Sequence, residues 1–113
     1  MKKLALLSGL MALLPVSTAY AATWSSEVKI ASIEASDTGT GGGVSLTFTT
    51  APFASHTCPI RSGQYRLGGT ADSIRQMSSL AVSAMLASRP VRVLWSDGCD
   101  GGGYPKLIGV ELR

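Results

Sequence analysis

The chain has 113 residues, 45% of them hydrophobic and 15% charged, with a formal net charge of +3. Lys2 and Lys3 belong to a leader-like N-terminus, and without them eight basic residues stand against seven acidic ones, a net of +1. With Arg61, Arg66, Arg75, Arg89, Arg92 and Lys106 scattered along the chain, the clustered positive charge that neutralises phosphates is missing, so nucleic acid is not an expected partner.

Lys2-Lys3 precede an apolar run over residues 4–14, followed by Pro15 and Ala19-Tyr20-Ala21. Basic residues, a short apolar run and a small-x-small site in that order predict a cleaved export signal over residues 1–21. The run is shorter than the roughly 20 residues that cross a bilayer, and no later stretch substitutes for it, so no membrane span is expected. The remainder, residues 22–113, is predicted to be one domain of about 90 residues, periplasmic or secreted. Cys58 and Cys99 are the two cysteines, and in an oxidising compartment they predict one disulfide.

Between residues 27 and 36 the apolar positions are Val28 and Ile30, then Ile33 and Ala35. The period-two alternation changes phase near Ser32, which predicts a bulged, strongly curved strand. Residues 37–43 are rich in Gly and Thr and read as a turn, and Val44, Leu46 and Phe48 alternate as the second strand of a hairpin. Residues 52–63 show no periodicity and read as a loop pinned at Cys58, before a short strand over residues 64–67. Thr70 or Asp72 is a plausible N-cap for a helix carrying Ile74, Met77, Leu80, Ala81, Ala84, Met85 and Ser88 on one stripe. Pro90 ends it. A strand over residues 91–95 turns Val91, Val93 and Trp95 to one face, Asp97-Gly98 and residues 101–103 form a Gly-rich loop, and residues 106–112 alternate Ile108, Val110 and Leu112 inward. The expected fold is mainly β with one helix: a small OB-like five-stranded barrel whose helix lies between the third and fourth strands. An open α+β sheet with the helix on one face fits the same periodicity.

The residue pattern points away from catalysis. His56 is the sole histidine, too few for a zinc set, and its loop neighbour Cys58 is consumed if the disulfide forms. It reads as a solvated loop histidine. Asp97 and Asp100 lie where turns favour Asp, and neither Gly-rich run opens a helix with the Gly-Lys-Ser or Gly-Lys-Thr of a phosphate cradle. No metal or cofactor is expected. Trp24, just before the first strand, and Tyr104, in the Gly-rich loop, are the aromatics placed for exposure, and a ring beside hydroxyls is a common way to hold a sugar.

Ser25-Ser26-Glu27-Val28 entering the first strand, the amphipathic helix, and Ser88-Arg89-Pro90-Val91-Arg92-Val93 entering the fourth strand resemble the glycan-binding B subunits of subtilase cytotoxin and typhoid toxin. The resemblance implies an exported OB fold, a sialylated glycan ligand, a homo-pentameric ring and an A-type toxic subunit as partner. In that family a serine just before the first strand contacts sialic acid, and the Ser-x-Glu-Val pattern places that role on Ser25. The candidate glycan-binding residues are therefore Ser25, Trp24 and Tyr104. A stand-alone periplasmic interaction domain that binds another protein is the alternative.

Overall fold

The computed structural model describes residues 22–36 and 43–113. The expected export signal, residues 1–21, and most of the expected turn of the first hairpin lie outside the described residues. Among the described residues the protein is mainly β with a single helix. The strands are β1 (Thr23–Trp24), β2 (Ile30–Ser36), β3 (Gly43–Phe48), β4 (Tyr65–Leu67), β5 (Val91–Cys99) and β6 (Pro105–Leu112), and α1 (Ala71–Leu86) lies between β4 and β5 in the chain.

The six strands form one mixed sheet in the order β1-β5-β6-β4-β3-β2. All neighbours are antiparallel except β4 and β6, which run parallel. The sheet is not closed, in contrast to the expected five-stranded barrel. The difference lies before Ser36. The strand expected over residues 27–36 runs from Ile30 as β2, which pairs with β3, and the residues ahead of it add a further strand, β1, whose Thr23 and Trp24 pair with Trp95 and Leu94 of β5. Between them Val28 and Val91 exchange two backbone hydrogen bonds of 2.9 and 2.8 Å as an isolated bridge. The expected phase change is present as a register shift between Ile30 and Ser32.

Alternation decides which side chains form the core. Val28, Ile30, Leu46, Tyr65, Leu67, Val91, Val93 and Leu107 are buried on one face of the sheet, and Met77, Ala81 and Ala84 meet them from α1. The small alanines let the helix approach closely, and α1 packs against β6 and β2. Thr70 is the N-cap, its Oγ1 accepting from the Ser73 N–H at 3.1 Å. The helix stops before Ser88, whose φ of 53° is left-handed, so Ser88 leaves the predicted stripe; Leu80, also placed on that stripe, is exposed.

Two expectations for the last hairpin change with its irregular register. β5 continues through Asp97-Gly98, expected as loop, with Asp97 at a φ of 62°. A register shift between Leu94 and Trp95 turns Leu107 inward and leaves Ile108 exposed, while Val110 faces the core as expected and Leu112, in the same phase but at the end of the strand, is exposed. The predicted bridge Cys58–Cys99 is formed, with Cα atoms 5.6 Å apart and a sequence separation of 41. It ties the loop after β3 to the end of β5, beside an aromatic cluster of Phe48, Phe53, Tyr65 and Trp95.

Candidate functional site

Ser25 faces inward. It is 5% exposed, and its hydroxyl is used twice, donating to the Ser26 carbonyl at 2.7 Å and accepting from the Val93 N–H at 3.0 Å. Its own N–H donates to the Val93 carbonyl at 2.8 Å. The side chain therefore completes the pairing of the N-terminal segment with β5, accepting the Val93 N–H in place of a backbone carbonyl. In this position the serine serves the fold, and a ligand would have to displace one of those bonds to reach it.

Strand alternation sends the neighbouring Trp24 to the opposite face. It pairs with Leu94, and its ring reaches across β5 to Gly109 of β6. A Cβ at Gly109 would crowd the Leu94 Cβ at 3.0 Å and would lie 3.4 Å from the far edge of the Trp24 ring, an ordinary contact, so the glycine makes room beside Leu94 and the indole edge lies against it. The Arg92 guanidinium carbon is 5.1 Å from the ring centroid. Arg92 is itself held, its Nε donating to the Ser25 carbonyl at 3.2 Å and its Nη1 to Glu111 at 3.4 Å. On the other side of β1, Thr23 Oγ1 donates to Asp97 at 3.3 Å. Trp24 nonetheless keeps 42% of its surface in solvent.

Tyr104 is half-buried, less exposed than its place in a Gly-rich loop suggested. The Arg66 guanidinium lies 4.2 Å from its ring centroid and 3.5 Å from an Asp100 oxygen. The other Asp100 oxygen accepts from the Gly102 and Tyr104 N–H groups, each at 2.9 Å, which fixes the hairpin tip. The Arg66 Nε is buried without a hydrogen-bond partner. Tyr104 precedes Gly109 by five residues, roughly 16 Å along a strand, so it and Trp24 do not grip the same sugar ring.

His56 is not a freely solvated loop residue. Its ring packs edge-on against Tyr65 and Trp95, with centroids 5.9 and 6.3 Å apart, and its Nδ1 accepts from the Cys58 N–H at 3.1 Å. The accepting nitrogen fixes the neutral tautomer with its proton on Nε2. Burial, and then the positive charge of Arg61, hold the imidazole below its ordinary range. The adjacent Cys58 sulfur is bonded to Cys99 and so is no nucleophile. Among the described residues no three His, Cys, Asp or Glu side chains gather as a metal site.

Of the three sequence candidates, Ser25 and Trp24 are chain neighbours on opposite faces, and Tyr104 lies at the far end of the β5–β6 hairpin. Arg92 and Gly109, which hold the Trp24 ring, were not singled out from sequence. A signal existed for Arg92: flanked by the inward Val91 and Val93, it must point outward in any alternating strand. Neither the models of known protein families nor the curated proteins include a match to this chain.

Proposed function

We propose that this chain is an exported, non-catalytic binding module of OB type that recognises a glycan on its sheet surface. The observation that carries this reading is Trp24, a large aromatic left partly in solvent yet packed against β6 at Gly109 and under an anchored arginine. An unligated protein gains nothing from holding an exposed indole in one place; a ligand with an apolar face does. Export is supported by the disulfide, which persists in oxidising compartments, and no helix among the described residues is long and apolar enough to cross a membrane. The OB assignment is supported by the helix before the last hairpin, the parallel β4–β6 pair and an N-terminal segment that pairs with both β5 and β3. That fold is a partly open barrel.

A homo-pentameric ring carrying an A-type subunit extends the reading, because single sugar sites are weak and several on one ring add avidity. The positions of β1 and β2 at the two ends of the sheet suit pairing between copies. The test is a glycan array probed with the mature protein, together with its mass in solution. Binding by an oligomer is expected; no binding at high protein density with a monomeric mass refutes the reading. A second reading, a periplasmic domain that docks another protein, is favoured by Val82 and Leu86, which stay exposed on α1. Co-purification of an envelope protein that α1 substitutions abolish would select it.

A further inference from the structure

We propose that the Trp24 ring is a stacking plate for a neutral hexopyranose, and that Arg92 is the positioning residue that keeps the plate in place. This rests on the glycan reading above and adds to it the site and the class of sugar.

Three features define the plate. The ring is held from below, since Leu94 pairs with Trp24 and the far edge of the indole lies against Gly109 of β6. Arg92 lies over one face of the ring and is fixed in turn by the Ser25 carbonyl and Glu111, so the plate is the opposite face. It rests on a strand pinned by pairing to β5 and by the Thr23–Asp97 hydrogen bond. An aromatic face is electron-rich, and a pyranose of glucose or galactose type presents a run of axial C–H groups whose slight positive polarisation matches it. The rim supplies what the hydroxyls need: guanidinium donors on Arg92 and carboxylate acceptors on Glu111, both partly exposed.

The same rim argues for a neutral sugar. A sialylated glycan brings a carboxylate, which binds well where a cation lacks a counter-charge. At the plate Arg92 faces the carboxylate of Glu111 at 3.4 Å, and the same oxygen faces Arg113, which also pairs with Glu27, so two cations stand against two carboxylates. An added carboxylate would meet a balanced set and the like charge of Glu111.

The test compares the wild-type mature chain with Trp24→Ala and Trp24→Tyr on immobilised galactose- and glucose-terminated oligosaccharides and on their sialylated counterparts. Wild type is expected to bind the neutral set, with sialylation giving no gain. Trp24→Ala should lose affinity about tenfold or more, as truncated aromatic anchors do, while Trp24→Tyr, which keeps an aromatic face, should retain most of it. Unfolding curves with the disulfide intact establish that each variant is folded, and the tyrosine variant carries the test if the alanine variant is not. Wild-type binding that Trp24→Ala leaves unchanged overturns the plate and leaves the glycan reading standing. Tighter binding of the sialylated set overturns the neutral class. No binding of wild type to any of these glycans overturns both the plate and the reading beneath it.

Discussion

Replacing Ser25 by alanine separates a structural serine from a ligand-contacting one. The hydroxyl that would be lost is the acceptor for the buried Val93 N–H, and Val93 is fully buried in the centre of the core. Alanine offers no acceptor, and the site is too enclosed for water to serve as a ready substitute. An orphaned buried donor costs about 1–3 kcal/mol, and the loss of the bond to the Ser26 carbonyl adds little because that carbonyl belongs to an exposed residue. We therefore expect Ser25→Ala to destabilise the protein by about 2 kcal/mol, which in a domain of this size lowers Tm by roughly 8–16 °C. Urea unfolding followed by tryptophan fluorescence measures it. Ser26→Ala, which alters an exposed side chain one residue away, is the control and should stay within about 0.5 kcal/mol of wild type. If Ser25→Ala were as stable as its control, the inward placement of the hydroxyl would be wrong, and a role at the surface would again be open to it.

Removing the bridge with Cys58→Ala and Cys99→Ala together should cost about 4 kcal/mol for a closed loop of this length; a loss below about 1 kcal/mol in urea unfolding would show that the staple is not limiting. Thr70→Ala should cost about 1 kcal/mol by removing the acceptor for the Ser73 N–H at the start of α1, and an unchanged midpoint would remove that cap from the account. The lowered His56 pKa gives a pH dependence of defined sign. The unfolded chain binds the proton more readily, so this residue's contribution is fully present above its ordinary value of 6.5 and is lost as pH falls from there through the folded value. Protonation also turns the Nδ1 acceptor into a donor and breaks its bond to the Cys58 N–H. Stability measured against pH should therefore fall on acidification through that window in wild type and fall less in His56→Gln; parallel curves would contradict the packed histidine.

Much of the fold was legible because local periodicity carried it. The phase change near Ser32 announced the bulge, the spacing of Met77, Ala81 and Ala84 announced the buried side of α1, and the cysteine pair announced the bridge. What failed was set by tertiary register. β1 has two residues, too few for any alternation, and exists only because β5 offers it partners. The inward side of β6 changes at Leu107 because of an irregularity shared with β5, which no reading of residues 106–112 alone can contain. The candidate site divided in the same way. Trp24 was found because an aromatic before a strand tends to be exposed. The enclosure of Ser25 was missed because a two-residue pairing with β5 turned it inward, and Arg92 and Gly109 were missed because their contact with Trp24 spans most of the chain.

That span has a kinetic side. The Ser25–Val93 contact joins residues 68 apart in sequence, whereas the β5–β6 and β2–β3 hairpins close over short stretches. Loop-closure entropy penalises the distant contact most, and topologies dominated by such contacts fold slowly. The indole at Trp24 is built on that long-range seam, so a chain with its hairpins and helix formed but its N-terminal segment still unpaired would have most of its core and no fixed indole surface.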